Sequence, residues 1–187
     1  VLVVSDRESS IALERAEGRG ITAAYIAKDR MDALSPLLVE NGVTLIALAG
    51  YLRLIPHAIV KAYHGRMLNV HPALLPAFGG AGMYGTRVHD AVIKSGARVS
   101  GPTVHFVDEN FDEGPIIAQW PVPVRTDDTI STLGARVLAV EHRLYPWCVA
   151  AVAAGTVRLG AHGTVEGAPE FDFDLFAPEP RRHPFAG

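Results

Sequence analysis

Between Val1 and Leu48, short apolar runs alternate with helical patterns, and no other feature of the chain narrows its fold as much. Val1-Leu-Val-Val4 reads as a buried strand, with Ser5-Asp6 as a turn or helix cap. Ile11 to Ala16 reads as a short helix stopped by Gly18 and Gly20, and Ile21 to Ile26 as a second strand. A helix is expected over about Met31 to Asn41, with Ala33, Leu34, Leu37 and Leu38 on one stripe. Val43-Thr-Leu-Ile-Ala-Leu48 is nearly all apolar, as in a strand covered on both faces. The order β-α-β-α-β implies an α/β fold with an open, mainly parallel, doubly wound sheet and right-handed crossovers.

In such sheets, ligands gather at the carboxyl ends of the strands. Ala49-Gly-Tyr-Leu-Arg-Leu-Ile-Pro56 leaves that edge as a loop, and a helix starting at Pro56 runs to about Tyr63. Met67 to Val70 is then a short strand stopped by His71-Pro72, because a proline cannot donate to a ladder. Asn69 and His71 are two apart and point to one side of it. The pair reads either as a turn cap with a satisfied histidine or as an amide and an imidazole meeting one ligand.

A glycine-dense segment, Ala77 to Gly85, follows with a mobile look, then a helix near Val88 to Lys94. Ser100 to Val107 alternates as a strand that puts Thr103 and His105 on one face. Asp108 to Pro115 is a polar loop, Ile116 to Trp120 a short strand, and Thr129 to about Ala154 a long helix ended by Gly155. Val157 to Leu159 adds a small final strand. We expect one domain over residues 1–167 and a Pro-rich surface tail over 168–187.

Composition bounds the function. Hydrophobic residues make up 49% and charged residues 20%, which is globular rather than disordered. A net charge of −3 argues against a nucleic-acid platform. Cys148 is the single cysteine, set among apolar neighbours, so it forms neither an internal disulfide nor a cysteine zinc site. With no 20-residue apolar run and no signal-peptide pattern, a cytoplasmic protein without a membrane partner is expected.

Three polar clusters fall on loops or strand ends: Asn69 with His71, then His105, then Asp112. Converged, they would offer an amide donor, an imidazole and a carboxylate. That set stabilises an oxyanion and moves a proton. A carboxylate beside the imidazole raises its pKa, so His71 is expected to be protonated. A His-His-carboxylate metal site from His71, His105 and Asp112 is the competing reading, but no H-x-H or H-x-x-x-H pair supports it. There is no G-x-S-x-G and no reactive cysteine, so the nucleophile is expected on the substrate.

Asn69-Val-His-Pro-Ala-Leu-Leu-Pro76, Val104-His-Phe-Val107 and Asp112-Glu-Gly-Pro-Ile-Ile117 together resemble the phosphoribosylglycinamide formyltransferases. Ala49-Gly-Tyr-Leu-Arg-Leu54, Glu141-His-Arg-Leu-Tyr-Pro146 and Gly155-Thr-Val-Arg-Leu-Gly160 extend the match, in order, across nearly the whole chain. The resemblance implies a Rossmann-like formyltransferase fold. It also implies transfer of a formyl group from 10-formyltetrahydrofolate to glycinamide ribonucleotide in de novo purine (IMP) biosynthesis, without a metal, by a monomer or homodimer. Asn69, His71 and Asp112 match the catalytic residues. Leu52, Arg53, Leu54, Ile55, Asn69 and Val107 match the folate-contacting positions, and Glu141 matches a residue that meets the glycinamide substrate. Without the resemblance, Glu141 reads equally as an exposed helix carboxylate.

The chain also departs from the family. It starts at what resembles the family's second strand, so the first strand and phosphate loop are missing from it, and we expect the natural protein to be longer. Leu138 stands where relatives often place a polar contact, and Gly79 to Gly85 replaces a commoner Pro-Gly loop. The alternative readings are a formyltetrahydrofolate hydrolase, a formyltransferase with another acceptor, or a non-catalytic folate- or nucleotide-binding module. Hydrolases of this kind tend to carry a second His at the place of Pro72, which favours transfer.

Overall fold

The computed structural model describes residues 1–167 of the 187. The expected Pro-rich tail therefore lies outside the described residues. The N-terminal half follows the expected alternation: β1 (Leu2–Ser5), α1 (Ile11–Glu17), β2 (Thr22–Tyr25), α2 (Leu34–Glu40) and β3 (Ile46–Leu48). Ser10 caps α1 by accepting from the Ala12 amide, and Leu13 and Ala16 are its buried positions. A single 3₁₀ turn, Met31–Ala33, leads into α2, which buries Leu34 and Leu38. After α3 (His57–Ala62) comes β4 (Met67–His71), then α4 (Thr86–Ser95), β5 (Val99–Ser100), β6 (Thr103–Phe106), β7 (Ile116–Gln119) and β8 (Val122–Pro123). The long α5 (Ile130–Ala153) precedes a small hairpin of β9 (Arg158–Leu159) and β10 (Val165–Glu166).

The α/β class and open sheet match expectation, with a division of direction along the chain. β1 pairs with β2 and β3 with β4 in parallel. From there the pairing turns antiparallel, β4 with β6 and β6 with β7, giving the order β3-β4-β6-β7. The loop between Phe106 and Ile116 contains no crossover helix, so β6 and β7 can pair only antiparallel.

Two expected strands differ in kind. The run from Val43 keeps only Ile46–Leu48 as strand, and Ala47 is exposed rather than covered on both faces. β1, read as buried, is half-exposed throughout. Among the described strands each of the two pairs on one side only, which accounts for the exposure. Pro56 sits one residue before the start of α3 as its N-cap instead of being its first helical residue.

The main core forms where α5 crosses the strands. Leu133, Val137, Leu144 and Cys148 pack on Leu68, Val104, Phe106, Ile117 and Ala118. Each fully buried aliphatic side chain there contributes roughly 1.5–3 kcal/mol. α5 begins at a reciprocal cap: the Thr129 hydroxyl accepts from the Thr132 amide, and the Thr132 hydroxyl accepts from the Thr129 amide. Asp128 just before it binds Arg136 at 2.7 Å and holds the start of the helix against β8. α4 approaches α5 closely because Gly134 has no side chain; a Cβ there would lie 3.1 Å from the His89 ring. The Cys148 thiol is buried and pushed up to about 12, the inert cysteine that its neighbours suggested.

Candidate active site

β4 ends at the sheet edge with Asn69 and His71 on one side, as the two-residue spacing requires. Antiparallel register sets Asn69 opposite His105 and His71 opposite Thr103. The polar loop after β6 then returns Asp112 to the same point. The Asp112 carboxylate lies 3.3 Å from His71 Nδ1 and 3.5 Å from Asn69 Nδ2. Its Oδ2 also accepts the Gly80 amide at 3.0 Å. The three clusters therefore converge.

The hydrogen bonds assign the two imidazoles differently. His105 Nδ1 donates to the Phe106 carbonyl at 2.8 Å, and its Nε2 lies 3.2 Å from Asn69 Nδ2 and 3.6 Å from Asp112 Oδ1. His71 Nε2 donates to the Phe78 carbonyl at 2.8 Å, and its Nδ1 faces Asp112. Asn69 thus turns Nδ2 toward both His105 and Asp112, the second contact being the longer. His105 had emerged from the sequence as a polar strand residue; its clamp on Asn69 needs the β4–β6 register.

Asp112 and Phe78 both adopt left-handed backbone, with φ of 59° and 58°. For non-glycine residues this conformation costs about 1 kcal/mol or more and concentrates at functional sites. Here it turns one carboxylate and one carbonyl onto His71. Gly79 is required between them, since a Cβ would stand 2.5 Å from Leu75 Cδ2 and 3.3 Å from Asp112 Cβ. The glycine-rich segment read as mobile is consequently tied at Phe78 and Gly80 to the histidine and the carboxylate.

Protonation departs from expectation at His71. Burial is the largest influence and pulls its pKa below the ordinary histidine value, outweighing the opposite pull of Asp112. Burial thus favours the neutral ring, while the acceptors at both ring nitrogens, the Phe78 carbonyl and Asp112, favour imidazolium. Burial raises Asp112, but His105, His71 and the Gly80 amide more than offset it, and the carboxylate is held below its ordinary value. It is ionised.

One cavity of about 730 Å³ takes in all of these groups. Leu52, Arg53, Leu54 and Ile55 line it on one side, with Val107 beside Asn69. Glu141 and Leu138 of α5 line it on another, with Gly80 and residues 82–85. Every site position suggested by the sequence opens onto this space. Burial pushes Glu141 up to about 6. Tyr145, one helical turn further along α5, donates its hydroxyl to the Leu48 and Leu68 carbonyls at 2.8 and 3.0 Å and so joins the helix to β3 and β4. Tyr145 was legible in sequence only as part of a motif. Among the described residues, no group of three or more His, Cys, Asp or Glu is arranged to hold a metal ion.

The amide, imidazole and carboxylate at this edge accompany a sequence match, over residues 1–149, to the family described as formyl transferase. The chain belongs to the formyl transferase family. It is 48% identical over 160 residues to the chloroplastic phosphoribosylglycinamide formyltransferase of Arabidopsis thaliana, covering 81% of this chain and 55% of that protein. It is 40% identical over 152 residues to the phosphoribosylglycinamide formyltransferase of Bacillus subtilis, covering 78% of this chain and 75% of the other. A crystal structure of glycinamide ribonucleotide transformylase 1 from Symbiobacterium toebii superposes with a TM-score of 0.81 at 38% identity, covering 89% of this chain and 79% of that one. The chain spans about half the length of the plant relative. Among the described residues, no helix is long and apolar enough to cross a membrane.

Proposed function

We propose that this chain transfers the formyl group of 10-formyltetrahydrofolate to the amine of glycinamide ribonucleotide, a step of purine biosynthesis. The observation that carries the reading is the convergence of Asn69, His71 and Asp112 within 3.3–3.5 Å in one cavity. The apolar wall from Leu52 to Ile55, with Val107, takes the folate. Glu141 and the glycine-rich segment take the nucleotide side.

The substrate amine attacks the formyl carbon, forming a C–N bond while the carbonyl π pair moves onto oxygen. Asn69 Nδ2 donates to that oxyanion, which replaces the long contact to Asp112. The developing negative charge favours imidazolium and so counteracts the burial that lowers the His71 pKa. Asp112 accepts the proton released by the amine. The tetrahedral intermediate collapses with cleavage of the bond to folate nitrogen, and that nitrogen takes the proton as it leaves. No metal enters these steps.

The test is a formyl-transfer assay of the chain with 10-formyltetrahydrofolate and glycinamide ribonucleotide, beside His71→Ala. Turnover that drops by about 10²-fold or more in the variant, with folate binding retained, is expected. Unchanged turnover refutes the role of His71. Folate binding without transfer by the parent chain refutes the enzymatic reading.

A further inference from the structure

Antiparallel register sets three side chains in a row across the sheet: His71 of β4 opposite Thr103 of β6, and Thr103 opposite Gln119 of β7. Residues paired in this way are neighbours on one face. His71 belongs to the reacting set. The other two bond to the segment that follows it. Between β4 and α4 the chain forms no helix or strand, so the backbone groups there need partners from elsewhere.

Leu75 finds them on both sides. Its N–H donates to Thr103 Oγ1 at 3.0 Å, and its carbonyl accepts from Gln119 Nε2 at 2.8 Å. The same Nε2 donates to Thr103 Oγ1 at 3.0 Å, and the Thr103 hydroxyl donates to the Ala73 carbonyl at 2.7 Å. The hydroxyl thereby uses its one proton and both lone pairs, and the glutamine amide uses both of its N–H bonds. With Oε1 in the place of Nε2, oxygen would face oxygen at Leu75 and at Thr103 with no proton between, so only one amide orientation fits. Ala73, Leu75 and Thr103 are buried, and water does not stand in for a lost donor.

Leu75 also reaches the groups that hold the reacting side chains. Its Cδ2 packs against Gly79, where a Cβ would stand 2.5 Å from it. Gly79 lies between Phe78, whose carbonyl accepts from His71 Nε2 at 2.8 Å, and Gly80, whose amide donates to Asp112 Oδ2 at 3.0 Å. We propose that Gln119 is a positioning residue: with Thr103 it fixes Leu75, and through Leu75 the carbonyl and amide that aim His71 and Asp112. Its effect on turnover rests on the formyl-transfer reading of those two residues. Neither Gln119 nor Thr103 lines the reaction cavity, so the effect falls on kcat rather than on substrate binding.

Gln119→Leu removes both donors, and Gln119→Glu keeps the shape but sets a carboxylate against the same two oxygens. Tyr63→Phe is the control, because it too deletes a side-chain donor to a backbone carbonyl, that of Val43. Transfer from 10-formyltetrahydrofolate to glycinamide ribonucleotide is measured for each full-length variant that circular dichroism shows to be folded. Exchange of the His71 Nε2 proton with water is read by NMR. Each folded Gln119 variant is expected to lose about 10–100-fold in kcat, with both KM values within about 3-fold of the parent. Its His71 ring proton is expected to exchange about 10-fold faster or more, while Tyr63→Phe moves neither quantity. A folded Gln119 variant with the kcat of the parent, or with an equally protected ring proton, overturns the proposal. So does an equal loss in Tyr63→Phe. A parent chain without transfer refutes the reaction instead, and ring-proton exchange then decides alone whether Gln119 positions His71.

Discussion

Glu141→Gln isolates a single charge whose cost can be worked from the structure. Glu141 sits on the cavity-facing side of α5, and burial alone moves its pKa from 4.5 to about 6. A folded pKa above the unfolded one means that the folded state holds the proton more tightly between those values. Stability from this group is fully present below about pH 4.5 and is lost as pH rises through about 6. The whole difference is worth roughly 2 kcal/mol at 1.36 kcal/mol per pKa unit, and about 1 kcal/mol of it falls between pH 5 and pH 8. Glutamine keeps the shape without the ionisation. Urea unfolding of both proteins at pH 5 and pH 8 is the assay, and the gain from Glu141→Gln is expected to be about 1 kcal/mol larger at pH 8. An equal effect at both pH values refutes the burial argument. With glycinamide ribonucleotide as substrate, the variant is expected to raise KM more than it lowers kcat, as the binding role proposed for Glu141 requires.

His105→Phe removes the ring nitrogen that orients Asn69 and leaves buried polar groups unpaired, at about 1–3 kcal/mol. Urea unfolding checks that loss; kcat is expected to fall with the folate KM nearly unchanged, and His105→Gln to recover part of it. Gly79→Ala drives a Cβ onto Leu75 and toward Asp112 and is expected to cost about 1–3 kcal/mol, with turnover lost alongside. Thermal unfolding and the transfer assay measure both effects. Tyr145→Phe loses one shared hydroxyl proton on Leu48 and Leu68 and is expected to destabilise by about 1 kcal/mol in urea, with the site chemistry intact.

Local pattern was enough to reveal the alternation from β1 to β3, the helix stop at Gly155 and the shared side of Asn69 and His71. Each depends on neighbours within a turn or a pleat, where steric rules act directly. The strand-ending proline at position 72 likewise places Asn69 and His71 at the carboxyl end of β4. Sequence also identifies Asp112 through its resemblance to a family, though not through any spacing to His71, because the two are joined only when the loop after β6 folds back.

Tertiary structure decided the rest. The direction of the His71 pKa depends on the balance between burial and Asp112, and burial in the assembled cavity has the larger effect. The orientation of Asn69 follows from the β4–β6 register that sets His105 opposite it. The left-handed turns at Phe78 and Asp112 carry long-range polar contacts with His71 of β4, beyond the reach of local propensity. The exposure of β1 and β3 is decided the same way. Their residues read as buried because they are apolar, but burial also requires a neighbour on each edge, and pairing is a property of the whole sheet.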